Sequence, residues 1–80
     1  MDEKEIVKML WNREENGLKA LQENYSLQLK RLAKNFVSEE DAEECFNDTL
    51  LSIWNSIPPN KPEHLFAYSA KICRNKALNM

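Results

Sequence analysis

This sequence predicts an all-α fold, a compact bundle of four helices, on three observations. Apolar residues recur at intervals of three and four along almost the whole chain, the spacing that draws one stripe down a helix. Only one Gly and three Pro occur in 80 residues, too few for an all-β domain, which needs a turn signal about every 10 residues. The breaks that do occur, at Gly17, at Ser38 and at Pro58-Pro59, divide the chain into four periodic stretches. A chain of 9.4 kDa cannot share its apolar residues between two cores, so residues 1–80 are expected to form a single domain.

The first helix is expected over about residues 2–16. Ile6 and Leu10, and Val7 and Trp11, are each four apart, and Asp2, Glu3 and Glu5 stand where the helix dipole favours acids. Gly17 then reads as the residue that closes this helix in a left-handed conformation. A second helix over 18–35 carries the stripe Leu18, Leu21, Tyr25, Leu29, Leu32 and Phe36, with Leu27 off it.

Ser38, followed by Glu39, Glu40 and Asp41, reads as an N-cap with acids in the first turn and Asp41 at the second position of a capping box. The third helix, 39–56, has the strongest periodicity, through Ala42, Cys45, Phe46, Thr49, Leu50, Ile53, Trp54 and Ile57, and is expected to be the central core helix. Pro58 and Pro59 end it. Pro62 suits the first turn of a fourth helix over 62–79, with Leu65, Tyr68 and Ile72, and Phe66, Cys73, Ala77 and Met80, facing inward. The core is expected around Trp54, Phe46, Leu50, Ile53, Leu32 and Ile72.

Composition excludes several functions. The longest unbroken apolar stretch is a few residues, far short of the roughly 20 that a bilayer span needs, and no signal-peptide succession is present. Two cysteines, Cys45 and Cys73, with His64 as the one histidine, make neither a disulfide scaffold nor a tetrahedral zinc set. They read as buried reduced thiols, which suits a cytoplasmic protein. No nucleophile stands beside a base, so neither catalysis nor a cofactor or metal is expected.

The net charge of −2 hides an asymmetry. Residues 1–60 hold 12 acids and 7 bases, whereas residues 61–80 hold Lys61, Lys71, Arg74 and Lys76 against Glu63 alone; between 37 and 57 there are six acids and no base. On a helix, Asp41, Glu44, Asn47, Asp48 and Leu51 share one face opposite the buried stripe, a pattern that suits a basic protein partner. Asn60, Lys61, His64, Lys71, Arg74 and Asn75 combine cations with amides that can hold phosphates or read base edges.

The segments DAEECFNDTLLSIWNSIP and PEHLFAYSAKICRNKALN resemble region 2 of the sigma-70-type RNA polymerase sigma factors, in the extracytoplasmic-function group. The resemblance runs from about Gly17 to Met80, and Asp41, Ala42, Glu43, Glu44, Asp48, Trp54, Ile72, Arg74, Asn75 and Asn79 fill positions of the family pattern. Asn47 stands for the usual glutamine, Leu50 for phenylalanine, Tyr68 for tryptophan and Ser69 for leucine. The resemblance implies a transcription initiation domain that binds the clamp helices of the core polymerase β′ subunit through Asp41, Glu44, Asn47, Asp48 and Leu51. It implies further that the loop before the fourth helix, residues 57–61 with Asn60 foremost, captures a flipped base of the promoter minus-ten element, and that the fourth helix follows the non-template strand.

The helix-turn-helix that reads the minus-thirty-five element is absent from these 80 residues, as are the basic residues that usually follow Asn79. The sequence therefore reads as the N-terminal domain of a longer chain. The alternative is a sigma-like interaction module that binds an anti-sigma factor or another regulator without reading a promoter; a plain structural four-helix domain would leave the charge partition without a purpose.

Overall fold

The computed structural model describes residues 2–80. Four helices follow in order: α1 (Glu3–Trp11), α2 (Glu15–Ala33), α3 (Glu39–Ser56) and α4 (Leu65–Leu78). The all-α expectation holds, and no strand occurs among the described residues.

Local chemistry explains two helix starts directly. The Asp2 carboxylate accepts from the Glu5 N–H at 3.0 Å, and the Ser38 hydroxyl accepts from the Asp41 N–H at 3.2 Å. Each satisfies one of the four N–H groups that a helix start leaves without a partner.

The other boundaries correct the sequence reading. α1 ends at Trp11 rather than Asn16, and the left-handed residue in the turn is Arg13, at φ 61°. Gly17 lies inside α2 and is buried, with no positive φ. Its role is close packing: a Cβ there would lie 3.0 Å from Leu10 Cγ and Cδ2 and 3.1 Å from the Leu10 backbone N, so the missing side chain is what lets α1 and α2 approach. α4 starts at Leu65, leaving Pro62 in the loop. Phe36 lies beyond the end of α2 and is exposed, as are Phe66 and Met80.

α2, not α3, packs extensively against all three others; α4 also meets all three, but α1 only lightly. One apolar cluster joins Ile6, Val7 and Leu10 of α1 to Ala20, Leu21, Ile53, Ile57 and Leu65; a second joins Leu29 and Ala33 to Ala42, Cys45, Phe46, Cys73 and Ala77. Tyr25 and Leu50 border both clusters. Of the expected core, Phe46 and Ile53 are fully buried, while Trp54, Leu50, Leu32 and Ile72 are half-buried. Cys45 and Cys73 are buried free thiols. Burial pushes both thiols up from their ordinary pKa, helped at Cys45 by the neighbouring Cys73, Asp48, Asp41 and Glu44 and opposed at Cys73 by a hydrogen bond with Thr49. Both therefore stay protonated and unreactive near neutrality.

Candidate functional site

Five of the six acidic residues of α3 divide between two surfaces, and the sixth, Glu40, is exposed in its first turn. Glu43 and Glu39 lie beside α2, where they meet Lys30 at 3.3 Å and Lys34 at 3.6 Å. Asp41, Glu44 and Asp48 have no ion-pair partner among the described residues. With Asn47 and Leu51 they form an exposed strip opposite Ala42, Cys45, Phe46, Thr49 and Ile53, and Leu51 is 59% exposed. Asn55, also exposed, extends the strip by one turn, since it stands seven residues after Asp48 and four after Leu51. Polarity at that position alone did not set it apart in the sequence.

The loop between α3 and α4 is held at both ends by the N-terminal part of the chain. At the C-terminus of α3, Arg13 donates through Nη1 to the Trp54 carbonyl and, at 3.0 Å, to the Ile57 carbonyl, while its guanidinium lies 3.8 Å from the Trp54 ring centroid. No basic residue occupies the last turn of α3, so Arg13 supplies from outside the positive charge that the helix dipole favours there.

At the N-terminus of α4, His64 makes no side-chain cap. Glu3 does this work instead: Oε1 accepts from the Leu65 N–H at 2.9 Å, and Oε2 accepts from the Phe66 N–H at 2.8 Å and from the Tyr25 hydroxyl. Burial raises the Glu3 carboxyl, but the hydrogen bonds from Tyr25, Phe66 and Leu65, with His64 nearby, outweigh it and leave the carboxyl below its ordinary value. The same pair pushes the Tyr25 hydroxyl well up, through burial first and then its bond to Glu3. Tyr25 also meets Phe66 edge to face, centroids 5.1 Å apart.

Between these anchors the Ile57–Pro58 and Pro58–Pro59 bonds are cis. The Asn60 N–H donates to the Ser56 carbonyl at 2.8 Å. Asn60 Nδ2 donates to Tyr68 Oη at 3.1 Å, and Tyr68 Oη lies 2.7 Å from Ser56 Oγ. The Asn60 side-chain oxygen has no hydrogen-bond partner among the described residues.

Asn60, Lys61 and His64 are exposed in this loop, and Lys71, Arg74 and Asn75 are exposed on one face of α4 at i, i+3 and i+4. The two groups are separate patches, since Lys71 is six residues beyond Leu65, about 9 Å along the helix. Arg74 lies 5.8 Å from the Phe36 ring centroid, and the Lys61 ammonium lies 5.7 Å from that of Trp11. Glu3, Arg13 and Tyr25, which fix the loop, carry no sequence signal for that role, because each acts on a partner 22 to 63 residues away.

No group of three or more His, Cys, Asp or Glu side chains among the described residues is placed to hold a metal ion. No described helix is long and apolar enough to cross a membrane. No protein-family profile, curated protein or solved structure matches this chain.

Proposed function

We propose that this chain is a sigma-factor region 2 domain that binds the β′ clamp helices of core RNA polymerase through α3 and the non-template strand of the minus-ten element through the α3–α4 loop and α4. The observation that carries the reading is the exposed strip Asp41, Glu44, Asn47, Asp48 and Leu51, in which three carboxylates lack ion-pair partners and a leucine stands bare. Uncommitted like charges around one apolar side chain fit a basic protein surface, where the charges steer approach and the leucine buries.

The loop supports the nucleic-acid half. Its two ends are fixed by Arg13 and Glu3, so an unstacked base would meet a pre-formed surface. With its nitrogen held by Tyr68, Asn60 offers an oxygen acceptor, which suits the exocyclic amine of cytosine or adenine. Lys71 and Arg74, two turns along, would hold backbone phosphates.

The test is Asp48→Lys and Glu44→Lys in a binding assay with core polymerase. Each reversal is expected to weaken the complex by about 1–3 kcal/mol while the thermal melt of the domain stays unchanged, and added salt is expected to weaken the parent complex. Unaltered affinity in both variants would remove α3 as the polymerase face. Capture of polymerase by a domain that shows no base preference at any promoter position would favour the interaction-module alternative, with an anti-sigma factor or other regulator as its partner.

A further inference from the structure

A groove of about 960 Å³ runs between α1 and the end of the α3–α4 loop. Val7, Trp11 and Pro62 make its apolar part, and Lys4, Lys8 and Lys61 bring ammonium groups to it. Lys4, Val7, Lys8 and Trp11 follow the i, i+3, i+4, i+7 rule and so share one face of α1.

The fold accounts for only part of this combination: Lys8 stands in the last turn of α1, where the helix dipole favours a cation, and Lys61 lies over the Trp11 ring. Trp11 is 41% exposed, although indole gains as much from burial as any side chain. Lys4 and Lys8 are like charges one turn apart, an arrangement that weakens a helix, and neither meets a carboxylate at ion-pair distance among the described residues. Of the two carboxylates bordering the groove, Glu3 is already committed to the Leu65 and Phe66 N–H groups and to Tyr25. Three cations are thus left with Glu63 alone.

We propose that this groove docks a short acidic peptide segment of a protein partner, with one bulky apolar side chain on Trp11 between Val7 and Pro62 and its carboxylates on Lys4, Lys8 and Lys61. Charge complementarity selects the acid, and the exposed indole selects the apolar anchor. A nucleic-acid strand fits less well. Glu63 borders the groove and would oppose an unbroken run of phosphates, whereas a peptide can place a neutral residue there and donate a backbone N–H to it. The groove meets the proposed promoter surface at Lys61, so an occupant that engages this lysine withdraws it from DNA; that consequence rests on the sigma reading, and the docking itself does not.

The experiment follows the two indole N–H signals, Trp11 and Trp54, by NMR as the blocked hexapeptide Glu-Asp-Leu-Phe-Glu-Asp is added to the 80-residue chain. The Trp11 signal is expected to move and saturate while the Trp54 signal stays, and the half-saturation concentration is expected to rise with salt. Trp11→Ala should weaken binding about tenfold or more, read from the lysine signals. Lys8→Glu, an exposed site whose change cannot disturb the core, should weaken it about fivefold. Equal binding to Lys8→Glu, equal binding of a peptide with Ser-Ser in place of Leu-Phe, or an unmoved Trp11 signal overturns the proposal. So does a single-stranded oligothymidylate that saturates Trp11 at a lower concentration than the peptide. Asp48→Lys should leave peptide binding unchanged, so this reading and the polymerase reading of α3 fail separately.

Discussion

Replacing Glu3 by Gln changes one heavy atom and tests the connection between α1 and the start of α4. The carboxylate accepts three hydrogen bonds, from the Leu65 N–H, the Phe66 N–H and the Tyr25 hydroxyl. A glutamine offers one oxygen; its NH₂ can donate to the Tyr25 oxygen but must then face a backbone N–H. One helix N–H, part-buried at Leu65 or exposed at Phe66, must turn to water, a loss of about 0.5–1.5 kcal/mol, and the anion at the positive end of the α4 dipole is lost, a further 0.3–1 kcal/mol or so. A loss of about 2 kcal/mol lowers the Tm of a domain this size by roughly 8–16 °C. Because the folded-state pKa of Glu3 lies below its ordinary value of 4.5, its contribution is complete above 4.5 and is lost as pH falls through the folded value. Thermal melts of parent and Glu3→Gln from pH 7 down to pH 3 should therefore lie furthest apart at neutrality and draw together as pH falls below 4.5. A gap that is absent at pH 7, or constant across the range, would refute the cap.

Three further outcomes are expected. Gly17→Ala should destabilise by about 1 kcal/mol in urea melts, because a Cβ 3.0 Å from the buried Leu10 side chain overpacks the α1–α2 contact by more than the roughly 1 kcal/mol that alanine gains in a free helix; a stabilised variant would show that Leu10 moves aside. Arg13→Ala and Arg13→Gly should both lose the cap on α3, yet the glycine variant should be the more stable by about 1 kcal/mol, since only it adopts φ 61° without strain; equal stabilities would place no strain at Arg13. If the proposed promoter reading holds, then in binding of the polymerase-bound chain to a promoter library Lys71→Ala and Arg74→Ala should lower affinity for all sequences and flatten the salt dependence by about one ion each, whereas Asn60→Ala should erase one base preference and keep the salt slope; an unaltered preference moves the reading surface away from Asn60.

What the sequence discloses depends on how far each residue's interaction reaches. Ser38 is legible because an N-cap acts within three residues, and the buried face of α3 because its period is local. Gly17 misleads because its usual meaning, a positive φ, is a backbone property, whereas here the requirement comes from Leu10 on another helix. The turn instead bends at Arg13, a residue type that seldom takes that conformation and that holds α3 by its side chain. Trp54 reads as core from its size and spacing, yet its ring is half-buried under a guanidinium rather than enclosed by apolar atoms. Among the candidate interface residues, all eleven are exposed as the faces of two helices and a loop require, while the groove beside Trp11 exists only once Pro62 has been brought against α1.

The Glu3 cap also bears on the order in which the chain folds. α2 and α3 are joined by the short segment 34–38 and can pair as soon as both exist, whereas Glu3 must find an N–H 62 residues away. Loop-closure entropy opposes that contact until the intervening helices have packed. Closure of the Glu3 cap, and with it the fastening of the α3–α4 loop, then belongs to the downhill side of the folding barrier, whereas α1 and α2 can pair early across the short segment 12–14. Glu3→Gln should accordingly speed unfolding several-fold and leave the refolding rate nearly unchanged in stopped-flow denaturant jumps. A slowed refolding limb would instead put the Glu3 contact with α4 in the nucleus. On a ribosome the same geometry means that the loop cannot take its final form until α4 has emerged, so the surface proposed to read DNA is the last part of the domain to be made.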